Sequence, residues 1–321
     1  MYKKFFGLKE NPFNVNPDPR YLFLTRHAEE ALACLTYGIQ NRKGFILLTG
    51  EVGTGKTTLL NALLDRLRRE RVATAFVFNS RLNVSQFLDF MMADFGIPTD
   101  GLPPKTMKSQ TLLRLNNWLL ERYRAGETAV LIVDEAQNLS PQVLEEIRLL
   151  TNLETSTEKL LQIVLSGQPE LEIKLNQPQL RQLRQRITLR AKTYTLTLEE
   201  TGGYIAERLR IARADGQPGE PTATEDTFSP EAIAAVHTYS RGIPRVINLL
   251  CEHALISAFV DQCRPIPVET IDEVAREFQL HEIDPIASPA VRNGEGENAR
   301  LMEALQNLTT LMDRLRRSEE S

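Results

Sequence analysis

Gly50, Glu51, Val52, Gly53, Thr54, Gly55, Lys56 and Thr57 match the spacing G-x-x-x-x-G-K-[ST] at every position. Glycines there let backbone N–H groups approach an anion, and the N-terminus of a following helix adds its dipole. The Lys56 ammonium is placed to reach β- and γ-phosphate oxygens, and the Thr57 hydroxyl supplies an oxygen for Mg²⁺. Thr58 follows as the next helical residue and is counted with the loop. A second group of chemistry-bearing residues closes the run Val130-Leu131-Ile132-Val133 with Asp134 and Glu135. Asp134 would hold Mg²⁺ through its water shell. Glu135, one residue further on, is placed to orient or deprotonate a water attacking the γ-phosphorus; the alternative is a solvated loop acid. A chain that bound a nucleotide without turnover would have no need of Glu135, so the pair points to hydrolysis rather than passive sensing.

Such groups work only when rigid elements hold them. Gly44 to Thr49 is a short continuous apolar run ended by Gly50, the pattern of a strand buried on both faces. Residues 57–70 read as a helix with Leu59, Leu60, Leu63, Leu64 and Leu67 on one side. Comparable buried runs at Ala73 to Phe78, Thr128 to Val133 and Leu160 to Leu165 alternate with helical patterns, which predicts a parallel sheet covered by helices. Ahead of it, a Pro- and aromatic-rich arm resists helix before the helical spacing of Arg26 to Gln40 begins. After Thr195 the strand signals stop, and helices are expected over Leu198 to Ala212, Pro230 to Tyr239, Pro244 to Val260 and Val268 to Leu280, with an exposed insertion at Asp215 to Thr227. The expected organisation is therefore an arm and helix (1–43), a P-loop core (44–197), a separate helical domain (198–283), a linker (284–298) and an amphipathic C-terminal helix (299–321).

The 321 residues comprise 42% hydrophobic and 25% charged ones, an ordinary globular composition that excludes disorder of the whole chain. Thirty-eight Lys and Arg against 42 Asp and Glu leave a net charge of −4, so no bulk positive field draws in DNA or an anionic membrane. Cys34, Cys251 and Cys263 show no ligand spacing, and His27, His237, His253 and His281 are scattered; a reducing cytoplasm and no structural metal are expected. No apolar stretch approaches the roughly 20 residues of a membrane span.

Taken together, the sequence resembles the AAA+ ATPases and, within them, the ExeA-like family of general secretion pathway protein A type. The residues that carry the likeness are Phe6-Gly7-Leu8, Asn11-Pro12-Phe13, Pro17 to Leu22, Gly50 to Thr58, Asp134 to Leu139, Ser166 to Leu171, Leu183 to Ile187 and Gly242 to Arg245. The resemblance implies a P-loop α/β sheet followed by a helical lid, ATP in the cleft between them, and hydrolysis completed by a neighbouring subunit in an ATP-dependent homo-oligomer. It implies a sensor 1 residue among Ser166 to Gln168, with Gln168 favoured, and a sensor 2 residue at Arg245, which otherwise is an arginine on a surface helix. Arg181, Arg184, Arg186 and Arg190 crowd the stretch where such proteins place an arginine finger; Arg184 and Arg186 lead, the alternative being a basic edge or a nucleic-acid contact. Phe13, Tyr21 and Phe23 are candidates for the adenine pocket or for packing against the lid. Full-length members continue through a transmembrane helix into a peptidoglycan-binding domain, a part this sequence is expected to lack. The expected role is a cytoplasmic motor or switch for a secretion, envelope or exopolysaccharide export apparatus. The alternative is a DNA-bound ATPase of the transposition-regulator kind, against which the acidic balance argues.

Overall fold

The computed structural model describes residues 2–78, 82–98, 107–213 and 227–280. Five strands, β1 (Phe45–Thr49), β2 (Ala73–Val77), β3 (Ala129–Val133), β4 (Leu161–Gly167) and β5 (Leu189–Lys192), form one sheet in the order β2-β3-β4-β1-β5. Every pairing is parallel. The three central strands β1, β3 and β4 are buried along their whole length, which is why their sequences are continuous apolar runs rather than alternating ones.

Side chains nevertheless sort by the two-residue period of a strand. Phe45, Leu47, Leu131, Val133, Ile163 and Leu165 join one core with Phe87, Leu115 and Leu144 from the helices Val84–Asp94, Met107–Arg124 and Pro141–Leu150. Ile46, Leu48, Val130, Ile132 and Val164 join a second with Leu35, Leu60 and Leu63 from the helices Arg26–Gln40 and Lys56–Arg69. Each such side chain contributes about 1.5–3 kcal/mol by leaving water. The sheet is thereby fixed from both faces, and only the loops at the strand ends stay open to a ligand. β5 has the sequence Leu-Arg-Ala-Lys and only Ala191 buried, so at the sheet edge it carries no apolar run that a sequence reading would flag.

Beyond β5 the described residues are helical: Leu198–Ala212, Pro230–Ser240, Pro244–Val260 and Val268–Glu277. The last of these stops short of the expected Leu280. Their core, with Leu209, Val236, Leu250, Leu255 and Ile271, also takes in Phe6 and Phe13 of the N-terminal arm. The arm is not wholly non-helical, since Tyr2–Phe5 forms a single turn ahead of the prolines. Tyr2 and Asn11 both donate to Glu252 Oε1, at 2.9 and 2.8 Å, and tie this segment to the helix Pro244–Val260. Residues 215–226 of the expected insertion, the linker 284–298 and the C-terminal helix 299–321 lie outside the described residues. Among the described residues no helix is long and apolar enough to cross a membrane.

Candidate nucleotide-binding and hydrolysis site

The loop leaving β1 is shaped by its glycines. Gly53 and Gly55 have φ of 79° and 92°, the left-handed region that glycine enters without a Cβ penalty. A Cβ on Gly50 would stand 1.9 Å from Thr193 Oγ1, so the loop can lie against the end of β5 only with glycine there. Thr54 completes that seam, its hydroxyl donating to Glu51 O at 2.8 Å and lying 2.7 Å from Thr193 Oγ1. In the helices Arg26–Gln40, Val84–Asp94 and Pro141–Leu150 a first-turn backbone N–H donates to the N-cap side chain of Thr25, Asn83 or Ser140. Lys56–Arg69 is capped by Gly55 with no side-chain bond, leaving its first N–H groups to an incoming phosphate.

Lys56 is 5% exposed and its Nζ donates to Gly50 O at 2.7 Å and Glu51 O at 2.9 Å. Burial holds its pKa below the ordinary lysine value, against the upward pull of Glu135, Asp134, Glu51 and Glu170. A cation confined in this way, with carbonyl oxygens as its only acceptors among the described residues, is matched to the phosphate oxygens of a triphosphate.

Asp134 follows β3 directly at 4% exposure, where three donors converge. Thr57 Oγ1 donates to its Oδ2 at 2.9 Å, while Ser166 Oγ and the Glu135 N–H donate to Oδ1 at 2.7 and 2.9 Å. A hydroxyl and a buried carboxylate held together are hard oxygen donors, the set that suits Mg²⁺ with part of its water shell retained. When bound, the ion would offset phosphate charge between Thr57 and Asp134.

Glu135 turns away from the strand in the left-handed region, φ 53° and ψ 36°, a conformation that costs a non-glycine residue about 1–3 kcal/mol and clusters at functional sites. Two amides hold its carboxylate: Gln137 Nε2 and Gln168 Nε2 donate to the same Oε2, at 2.5 and 3.2 Å. Gln137 Oε1 in turn accepts from the Gln168 N–H at 3.2 Å. Lys174 fixes the loop from below by donating to the carbonyls of Gln137 and Leu139 at 2.7 and 2.6 Å. The two sensor 1 candidates thus divide: Ser166 serves Asp134, and Gln168 faces Glu135. Gln137 stood in the recognised stretch without a role, and nothing in its type or spacing distinguishes it from an ordinary loop glutamine.

The phosphate cleft is walled by Val52, Gly53, Gly55, Lys56, Thr57, Thr58 and Glu135 from the core, with Arg245 and Asn248 from the lid. An adjoining cavity is walled by Tyr21, Phe23, His27, Thr193, Tyr194, Leu196 and Pro244 among others. Tyr21 and Phe23 therefore face this apolar cavity. Phe13 does not, being packed edge-to-face on Phe228 within the lid core. Arg245 sits exposed in the first turn of Pro244–Val260 at the cleft. Arg184 and Arg186 are on the helix Arg181–Arg186 and on neither cavity wall; Arg184 donates to Asn176 Oδ1 at 2.7 Å and Arg186 to Thr151 Oγ1 at 2.5 Å.

The family described as AAA domain matches residues 39–175. General secretion pathway protein A of Aeromonas hydrophila is 45% identical over 260 residues, covering 81% of this chain and 45% of that protein. Residues 39–175 belong to the AAA domain family, and the chain is ExeA-like over 81% of its length. It spans less than half the length of that relative. Among solved structures, Aeropyrum pernix ORC2 in its ADPNP–ADP complexes superposes with a TM-score of 0.63 at 16% identity, over 87% of this chain and 74% of that one. Cdc6p of Pyrobaculum aerophilum gives 0.59 at 15% identity over 86% and 70%, and a Thermotoga maritima RuvB variant 0.52 at 14% over 79% and 69%. These likenesses carry the fold, a P-loop AAA+ sheet flanked by helices.

Proposed function

We propose that this ExeA-like protein is a Mg²⁺-dependent ATPase that works as an ATP-dependent homo-oligomer. The reading rests on one observation above the rest: Glu135 is held by two amides beside the Thr57–Asp134 pair. In this reading, Lys56 and the loop N–H groups bind the β- and γ-phosphates. Thr57 and Asp134 hold the metal. Glu135 accepts a proton from the attacking water, and Gln168 and Gln137 keep that carboxylate aimed. The apolar cavity under Tyr21 and Phe23 takes the base, Arg245 reaches the γ-phosphate from the lid, and Arg184 or Arg186 serves the site of a neighbouring subunit.

The likeness to general secretion pathway protein A supports a place with secretion or envelope-export machinery, as a cytoplasmic motor or switch. The decisive test is ATP turnover with Mg²⁺ and with EDTA, on the parental chain, Lys56→Ala and Glu135→Gln. Turnover that requires Mg²⁺, nucleotide binding lost in Lys56→Ala, and binding retained without turnover in Glu135→Gln support the reading. Parental turnover that persists in Glu135→Gln sinks it.

A further inference from the structure

One cation in the cleft has no place in the mechanism above. Arg208, on the helix Leu198–Ala212, is only 6% exposed, yet it lies on the walls of both the apolar cavity and the phosphate cleft. Its Nη1 donates to the carbonyls of Pro12 at 2.5 Å and Asn14 at 3.5 Å, while its buried Nε has no hydrogen-bond partner among the described residues. Tyr21 and Tyr204 lie against the guanidinium, their ring centroids 4.8 and 5.1 Å away, and fix its plane. Among the described residues no carboxylate pairs with it. Asp18, whose charge it feels, is committed to Arg20 at 2.7 Å. A buried charge with neither counter-ion nor full hydrogen bonding is costly unless an anion joins it.

The two cavities share Gly55, Thr58, Tyr204, Arg208 and Pro244 as wall residues. Gly55 and Thr58 bracket the first turn of the helix Lys56–Arg69, whose N–H groups face the α- and β-phosphates in a loop of this kind. The cavities therefore meet where a nucleotide passes from its sugar to its first phosphate.

We propose that Arg208 binds the nucleotide at the junction of ribose and α-phosphate, an inference that rests on the nucleotide-binding reading above. Both ATP and ADP carry this junction, so Arg208 holds the two alike, whereas Arg245 is placed to discriminate the γ-phosphate. The guanidinium also bridges to the arm carbonyls, so the bound nucleotide and residues 12–14 share one cation.

The test uses the full chain with Arg208→Met, Arg208→Lys and Arg245→Ala, titrated with fluorescent ATP and ADP, alongside melting with and without ADP. Arg208→Met is expected to weaken ATP and ADP by the same factor, about 10- to 100-fold, as loss of a charged hydrogen bond does. Arg208→Lys should recover part of that loss, and Arg245→Ala should weaken ATP more than ADP. Without nucleotide, Arg208→Met should melt no lower than the parent, while the ADP-induced rise shrinks. Unchanged ADP affinity in Arg208→Met, or a loss confined to ATP, overturns the proposal. So does a melting temperature that falls equally with and without ADP at parental affinity, which assigns Arg208 to arm docking alone. A parental chain that binds neither nucleotide sinks the nucleotide reading itself, and this inference with it.

Discussion

The backbone N–H of Arg245 donates to the carbonyl of Gly53 at 3.2 Å, so the lid helix begins on the phosphate-binding loop itself. A Cβ on Gly53 would stand 2.8 Å from Arg245 Cβ and 3.0 Å from Ile243 Cγ2. The glycine is required twice, by its positive φ and by the closeness of the lid. Any motion of the lid must pull on this carbonyl, and any phosphate that moves the loop must push on Arg245.

Gly53→Ala should separate those two effects when set beside Gly126→Ala. Gly126 has φ 74° and, among the described residues, nothing within 4 Å of where a Cβ would stand, so its substitution carries the left-handed penalty alone, about 1–2 kcal/mol. Gly53→Ala should cost more than this in denaturant unfolding and should also weaken ATP binding, because the loop and the lid are forced apart. Equal destabilisation in the two variants with parental ATP affinity would show that the loop–lid contact carries nothing.

Glu135 and Gln137 should part in kinetics. Glu135→Gln removes the group that takes the proton and should lower kcat by about 10²–10⁴. Gln137→Ala leaves the carboxylate with Gln168 alone, so kcat should fall by less, about tenfold, at parental nucleotide affinity. Single-turnover rates with Mg²⁺–ATP measure both. A Gln137→Ala rate equal to that of the parent would make the short bond to Glu135 an ornament of the loop.

Lys56 should mark itself in the pH dependence of stability. Its folded pKa lies below the ordinary 10.5. Between the folded value and 10.5 the unfolded chain keeps a proton that the folded chain has released, so folding stability rises with pH across that window. The cost of burying the charge is complete below the folded pKa and fades as the pH climbs through it. Denaturant unfolding from neutral to alkaline pH should therefore show parental stability gaining on that of Lys56→Met as 10.5 is approached. A constant gap, or one moving the other way, would mean that the neighbouring carboxylates offset the burial of Lys56.

What the residues announced and what they hid follow from the range of the forces involved. The loop Gly50 to Thr57 and the end of β3 are legible because they are local: glycine spacing, a following helix and an apolar strand closed by two acids lie within one segment. The central strands are legible because burial on both faces leaves no alternation. Arg208 and Gln137 were not legible, since each takes its meaning from groups far away in sequence, Tyr21 and Pro12 for the one and Gln168 for the other. Phe13 and Tyr21 look alike in the arm, and only the course of the chain between them decides that one enters the lid core while the other lines the cavity.

The arginine pair tests what a single subunit cannot do for itself. Arg184 is exposed and Arg186 half-buried, and neither lies on the wall of the phosphate cleft of its own chain. If Arg184 completes a neighbour's site, Arg184→Ala should lower kcat by about 10³–10⁵ and leave nucleotide affinity intact, because transition-state charge is lost and the binding pocket is not. Arg186→Ala also frees Thr151 on the helix-end turn, so it should show a lower melting temperature that Arg184→Ala does not share. Mixing Arg184→Ala with Glu135→Gln should restore part of the activity, since some mixed interfaces pair an intact arginine with an intact glutamate. Specific activity of the parent should then rise with protein concentration. Flat specific activity together with no recovery on mixing would leave both arginines as a basic edge. Binding of duplex DNA that weakens steeply with salt would then be the property to measure on that edge.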